Sequence, residues 1–170
     1  MGHVDNKLEW CIKKATKEGK DHRGINVLTD SNETQQNLRA SEHIAKAEHN
    51  LKAMIHNMKG GFPDWAINAS FYARYHCLLA ILAKHGYESR NQECTFVAIE
   101  HLIDKNAVAL EKSELLKISS REGNMEDATL IKMREGSQYG TETAYDDPKM
   151  KELLEETKEF VRIINSLLTD

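Results

Sequence analysis

Proline, glycine and cysteine are scarce in this 170-residue chain, which contains two, nine and three of them, respectively. These counts exclude a collagen-like chain, and three cysteines are too few for a small disulfide-stapled scaffold. No run of about 18 uncharged apolar residues occurs, so we expect no membrane-spanning helix. The first ten residues, MGHVDNKLEW, contain no apolar segment of the kind found in signal peptides. The sequence therefore predicts a cytoplasmic protein.

The cysteines and histidines lack the spacing of a metal site. Cys11, Cys77 and Cys94 form no CxxC pair, and none of the eight histidines belongs to an HExxH motif. Because zinc sites use closely spaced ligand pairs, we expect no metal, and no other pattern indicates a cofactor. The small, odd number of cysteines predicts reduced thiols, two or three of which act as small buried apolar groups.

The charge balance is mildly acidic, with 27 Asp and Glu residues against 23 Lys and Arg residues. A net charge of −4 argues against a protein that coats nucleic acid by bulk charge. The chain is 40% hydrophobic and 29% charged, which is the composition of a folded domain rather than of a disordered chain.

Apolar residues recur at helical spacing through most of the chain. This periodicity predicts helices over about residues 4–18, 33–59, 63–85, 93–104, 125–137 and 148–168. The segment 107–118 either continues the fourth helix or forms a separate turn, and Val27-Leu28 is too short to assign. Residues 119–124 are predicted to interrupt the helical pattern.

The connections between these helices are mostly short, which favours antiparallel neighbours. The sequence therefore predicts an all-α fold, an antiparallel up-and-down bundle of about five to six helices. We expect a single domain, in which residues 1–32 form an N-terminal helix and loop and residues 33–170 form the bundle.

The third predicted helix contains a motif that is typical of a known protein family. In the run AINASFYARYHCLLAILAKHG, a small-x-Y-A-x-x-H pattern is formed by Ser70, Tyr72, Ala73 and His76. The segment before it contributes further matches at Ala47, Leu51, Gly61 and Ala66. In their order and spacing these residues resemble the central part of HEPN domains. The resemblance extends over about residues 36–168.

The resemblance implies a helical bundle that pairs as a homodimer. It also implies binding of a nucleotide, of RNA, or of a small nucleotidyltransferase partner, often as one half of a toxin–antitoxin pair. Some HEPN domains are metal-independent ribonucleases with an R-x(4–6)-H motif, usually with a polar residue after the arginine. Others bind without catalysis.

Two arginines are candidates for the start of that motif, and neither is followed by the expected histidine. Arg90 precedes the polar Asn91, but positions 95–97 are Thr, Phe and Val. Arg134 lies where the resemblance places the motif, and Tyr139 stands at the histidine position. A tyrosine with its ordinary pKa near 10 is a poor general base at pH 7. The motif is therefore degenerate.

A ribonuclease needs a base for the 2′-hydroxyl proton and a cation for the charge on the phosphate. The candidates for catalysis are His76, Arg134 and Tyr139, and the candidates for ligand binding are Tyr72, His76, Arg90, Asn91, Arg134 and Tyr139. Each has a structural alternative: a packed histidine or tyrosine, a surface ion pair, or a helix cap at Asn91. We expect a binding protein rather than an enzyme. The alternatives are a metal-independent endoribonuclease and a module that only docks a partner protein.

Overall fold

The structure is a computed structural model that describes residues 3–17, 24–28, 31–119 and 129–169. Within these ranges it contains seven helices and one two-stranded sheet. The elements are α1 (His3–Lys17), β1 (Ile25–Val27), α2 (Glu33–Lys59), α3 (Pro63–Lys84), β2 (Tyr87–Ser89), α4 (Gln92–Asp104), α5 (Lys112–Ile118), α6 (Leu130–Tyr139) and α7 (Asp147–Thr169).

The all-α prediction is confirmed, but five to six helices were too few. The segment after α4 forms a helix of its own because the chain turns at Asn106, whose φ is 53°. Asparagine adopts this left-handed conformation more readily than most residues, and it stops α4 from continuing. α6 begins at Leu130, later than the predicted start near residue 125. The interruption was predicted at residues 119–124, of which residues 120–124 lie outside the described residues.

α2 and α3 form an antiparallel hairpin with well-defined ends. α2 starts with a capping box in which the side chain of Asn32 accepts from the Gln35 amide and the Gln35 side chain accepts from the Asn32 amide. The turn after α2 uses Gly61 at φ 78°, where a side chain would be strained, and Pro63 begins α3. The two long helices therefore lie side by side.

α3 is the central element of the bundle and contacts α2, α4, α6 and α7. Thirteen of its 22 residues are buried, and alanines on several sides let the neighbouring helices approach closely. This agrees with the largely apolar sequence of the segment, because a helix without a wide polar face is typically buried on most sides.

The described part of segment 1–32 packs on the bundle. α1 lies against α4, and β1 pairs antiparallel with β2, with Asn26 opposite Glu88. Gly24 lies so close to the backbone of α1 at Cys11 and Ala15 that a Cβ atom would not fit there. The predicted end of the first helix, at about residue 18, lies outside the described residues.

A disulfide between Cys11 and Cys94 joins α1 to the first turn of α4. The prediction of reduced thiols is therefore wrong for these two residues, because the packing of α1 on α4 brings their Cα atoms to 5.8 Å. Cys77 is a free, buried thiol, and burial raises its pKa to about 12. It matches the prediction of a small buried apolar group.

A buried arginine links α3 to α7. Arg74 is only 1% exposed, and its guanidinium lies 3.0 Å from the carboxylate of Glu156 and donates to the Thr157 hydroxyl at 3.3 Å. Ser70 hydrogen-bonds to the same hydroxyl at 2.8 Å. These contacts satisfy a charge that would be costly to bury alone.

None of the helices in the described ranges combines the length and the hydropathy that are needed to cross a bilayer.

The number of reactive thiols tests the disulfide. Denatured under non-reducing conditions, the protein is expected to present one reactive thiol per chain, that of Cys77, and three after reduction. Titration with a thiol reagent measures both numbers, and Cys77→Ser is expected to give zero and two. Three reactive thiols without reductant would contradict the disulfide.

Neutralising Glu156 is expected to destabilise the fold, because it leaves the buried Arg74 charge without its counter-charge. Since the Glu156 side chain is 42% exposed, we expect Glu156→Gln to lower the free energy of unfolding by about 1–2 kcal/mol, less than for a fully buried pair. Urea denaturation measures this, with the exposed Glu152→Gln on α7 as the matched control. Equal midpoints for the two variants would show that the pair does not stabilise the protein.

Candidate functional site

A groove runs along one side of the α2–α3 hairpin. α2 contributes residues spaced by three or four positions, which places them on one face of the helix: Arg39, His43, Lys46, Asn50, Ala53 and Asn57. α3 contributes a second such row: Trp65, Asn68, Tyr72, His76, Leu79 and Ala83. All of these residues except Asn50 line one of two cavities, which follow each other along the hairpin. We call this surface the α2–α3 groove.

The first cavity lies between α2, the second half of α3 and β2, and has a volume of about 630 Å³. We call it the histidine pocket. Its lining residues are Arg39, Glu42, His43, Lys46, His76, Leu79, Ala83, Tyr87, Glu88 and Ser89.

Two histidines form a direct hydrogen bond in this pocket. The Nδ1 atoms of His43 and His76 are 3.1 Å apart, and the ring centroids are 5.3 Å apart. Burial, together with the nearby His43 and Lys46, lowers the pKa of His76 to about 4. Burial also lowers the pKa of His43, although Glu42 and Glu88 oppose this effect. Both rings are therefore neutral at pH 7.

The hydrogen bond fixes opposite tautomers in the two rings. One ring donates its Nδ1–H, so its Nε2 keeps a lone pair and can accept a proton. The other ring accepts at Nδ1, so it carries its proton on Nε2 and can donate it. The neutral pair thus supplies one acceptor nitrogen and one donor N–H.

The charges of the histidine pocket are mixed. Arg39 and Lys46 provide two cations, and Glu42 and Glu88 provide two carboxylates. Arg90 lies beside the pocket, where its guanidinium is 3.7 Å from the Glu88 carboxylate and offsets its charge.

The second cavity, of about 610 Å³, lies between α2, the first half of α3 and the end of α6. We call it the aromatic pocket because the exposed rings of Trp65 and Tyr72 line it. The other lining residues are Ala53, Asn57, Asp64, Asn68, Ala69, Ser137, Gln138 and Gly140. A hydrogen bond of 3.1 Å from Asn68 to the Ser137 hydroxyl connects α3 to α6 here.

The sequence-predicted site residues are divided among several places. His76 lies in the histidine pocket and Tyr72 in the aromatic pocket, one helical turn apart on α3. The guanidinium of Arg134, on α6, lies 4.8 Å from the centre of the Phe71 ring of α3. Tyr139 is 78% exposed and lines neither of these two cavities.

Asn91 has a structural role at the start of α4. Its side-chain oxygen accepts a hydrogen bond of 2.9 Å from the Cys94 amide, which caps the helix. This is the helix cap that the sequence offered as the alternative to a binding role. Arg90, next to it, has the ion pair with Glu88.

The partner of His76 in the structure is His43, not Arg134. Sequence reasoning missed His43, Arg39 and Lys46. The sequence did contain a pattern that indicates them, because the polar residues at positions 39, 43, 46 and 50 share one face of the amphipathic helix. In the described ranges, no group of three or more His, Cys, Asp or Glu side chains is placed to hold a metal ion.

Comparison with protein families gives a match to the model of the HEPN domain over residues 40–167. This is about three quarters of the chain. The chain belongs to the HEPN domain family. The match covers the α2–α3 groove except Arg39, and it confirms the resemblance found in the sequence. A comparison with curated proteins finds no match for this chain.

The histidine pair of this HEPN domain predicts a loss of stability in acid. Because the pKa of His76 in the folded protein is depressed to about 4, the unfolded chain binds the proton more strongly. The stabilisation is therefore complete above about pH 6.5, the ordinary pKa of histidine, and is lost as the pH falls towards 4.

Urea denaturation at several pH values tests this. Between pH 6.5 and 4, the free energy of unfolding of His76→Asn is expected to fall less steeply than that of the wild type. His49→Asn, on the exposed face of α2, is the control and should keep the wild-type slope. Identical slopes in all three proteins would contradict the depressed pKa.

Proposed function

We propose that this HEPN domain binds a nucleotide or single-stranded RNA, with a phosphate group held in the histidine pocket. The observation that carries the proposal is that Arg39, Lys46 and the hydrogen-bonded pair of His43 and His76 line one open cavity. A guanidinium, an ammonium and an Nε2–H are the donors that phosphate oxygens accept from.

The mixed charge of the pocket favours selective rather than bulk attraction. Glu42 and Glu88 offset much of the field of the two cations, and the whole chain is acidic. The protein is therefore expected to bind a short segment through a few contacts and to depend only weakly on salt. Tyr87, at the end of the pocket, offers a ring on which a base can stack.

Binding of a short fluorescein-labelled RNA, measured by fluorescence anisotropy, tests the proposal. We expect Lys46→Gln to weaken binding by about tenfold, because a charge-assisted hydrogen bond to phosphate is lost. Lys52→Gln is the matched control, since this lysine lies on the exposed face of the same helix. Equal affinities of the two variants, or no binding by the wild type, would contradict the proposal.

The histidine pair also favours a second candidate function, RNA cleavage without a metal. The Nε2 lone pair of one ring can take the proton of a 2′-hydroxyl while that oxygen attacks the adjacent phosphorus. The Nε2–H of the other ring can give a proton to the departing 5′-oxygen. The products would be a 2′,3′-cyclic phosphate and a 5′-hydroxyl end.

Gel analysis of RNA incubated with the protein in EDTA distinguishes the two candidates. Cleavage that is lost in both His43→Asn and His76→Asn would assign catalysis to the pair. Intact RNA under conditions where anisotropy shows binding would leave the binding function alone. The homodimer and the nucleotidyltransferase partner stay predictions of the family resemblance, and light scattering of the purified chain tests the first.

A further inference from the structure

The aromatic pocket has the shape and chemistry of a site for a flat heterocycle. Trp65 and Tyr72 lie two helical turns apart on α3, about 10 Å along the axis, with the small Ala69 between them. Ala53 of α2 is also small, so the space between the two rings is open. Trp65 is 63% exposed and Tyr72 is 42% exposed, which makes both rings accessible for stacking.

The Asp64 carboxylate gives this pocket a hydrogen-bond acceptor that carries a negative charge. The amide nitrogen of Asn57 donates to the Ala53 carbonyl at 2.9 Å. That of Asn68 donates to the Asp64 carbonyl and the Ser137 hydroxyl. The side-chain oxygens of both asparagines thus remain as acceptors in the pocket that the Asp64 carboxylate also lines. Among the described residues that line the pocket, none is Lys, Arg or His.

A pocket with a carboxylate and without a cation among its described lining residues favours a ligand with adjacent N–H donors. Guanine carries N1–H and the N2 amino group side by side on one edge, and a carboxylate can accept from both. Adenine has an acceptor at N1 beside its amino group, and this acceptor would face the Asp64 carboxylate unfavourably. Bases in single-stranded nucleic acids are read in this way, by stacking and by hydrogen bonds to this edge.

The aromatic pocket adjoins the histidine pocket along the α2–α3 groove. Tyr72 and His76 are one turn apart on α3, and Lys46 and Ala53 are two turns apart on α2. Asn50 lies between them in the same row, and its amide nitrogen is buried without a partner among the described residues. The two pockets are therefore neighbours along the groove, so that one ligand can place a base in one pocket and a phosphate in the other.

We propose that the aromatic pocket is a guanine-binding subsite, so that a guanine nucleotide or a guanine-containing RNA segment occupies the α2–α3 groove. This inference rests on the proposed function for the phosphate. It adds base specificity, with Trp65 and Tyr72 stacking on the base and Asp64 reading its N–H edge.

Trp65 provides a direct reporter, because the chain has two tryptophans and the other, Trp10, lies on α1. In a Trp10→Phe background, GMP and AMP are titrated and the quenching of Trp65 fluorescence is followed. We expect GMP to bind at least about fivefold more tightly than AMP, as for one good bidentate contact to a base. Asp64→Asn should bring this ratio close to one, whereas Asp104→Asn, on α4, should leave it unchanged.

Two further variants test the phosphate contact and the stacking contact separately. Lys46→Gln should weaken GMP and AMP by the same factor and preserve their ratio, because it removes a phosphate contact. Tyr72→Leu should weaken both nucleotides through lost stacking, and circular dichroism verifies that it and Asp64→Asn remain folded.

Equal affinity for GMP and AMP, or a preference for GMP that Asp64→Asn leaves intact, would overturn the guanine subsite. In either case, weaker nucleotide binding by Lys46→Gln would still support the phosphate site. A guanine preference that is lost in Asp64→Asn but is insensitive to Lys46→Gln would support the subsite and overturn the phosphate site. If neither nucleotide quenches Trp65 and neither is bound by calorimetry, the subsite is wrong, and RNA anisotropy decides the phosphate site separately.

Discussion

The packing of α2 along α3 is the contact on which the rest of the structure depends. α3 is buried on several sides, and its small residues allow α2, α4, α6 and α7 to approach it. The hairpin is fixed at both ends, by the capping box at Asn32 and by the turn at Gly61. Because helices pack as ridges into grooves, this contact sets the register in which the side chains of the two helices meet.

That register produces the candidate site. One side of the hairpin carries polar and aromatic residues, whereas its other sides bury alanine, leucine and isoleucine. It brings His43 against His76 and leaves Trp65 and Tyr72 exposed beside Asp64. Neither pocket is complete without a third element, since β2 closes the histidine pocket and the end of α6 closes the aromatic pocket. Membership in the HEPN domain family and the site chemistry thus point to the same class of ligand, a nucleotide or RNA.

The sequence predicted what depends on local periodicity and missed what depends on contacts between distant segments. The rows of apolar residues predicted α2, α3 and α7, and the small-x-Y-A-x-x-H pattern predicted the family. The separate helix α5 was left open, because it depends on the backbone of Asn106, and the Cys11–Cys94 disulfide was missed, because it joins residues 83 positions apart. The role of His76 as a neutral partner of His43 could not be predicted either, since a pKa near 4 arises from burial that only the packed hairpin creates.

The chemistry proposed for the groove depends on the neutral pair of His43 and His76 receiving the phosphate of a nucleotide. Long-range proton–nitrogen NMR of the histidine rings is the sharpest test, because it reports the tautomer and the environment of each ring nitrogen. At pH 7 we expect two neutral rings of opposite tautomers, whose Nε2 resonances shift when GMP is added, while those of the exposed His49 do not. Protonated rings, or Nε2 resonances that remain unchanged at saturating nucleotide, would contradict it.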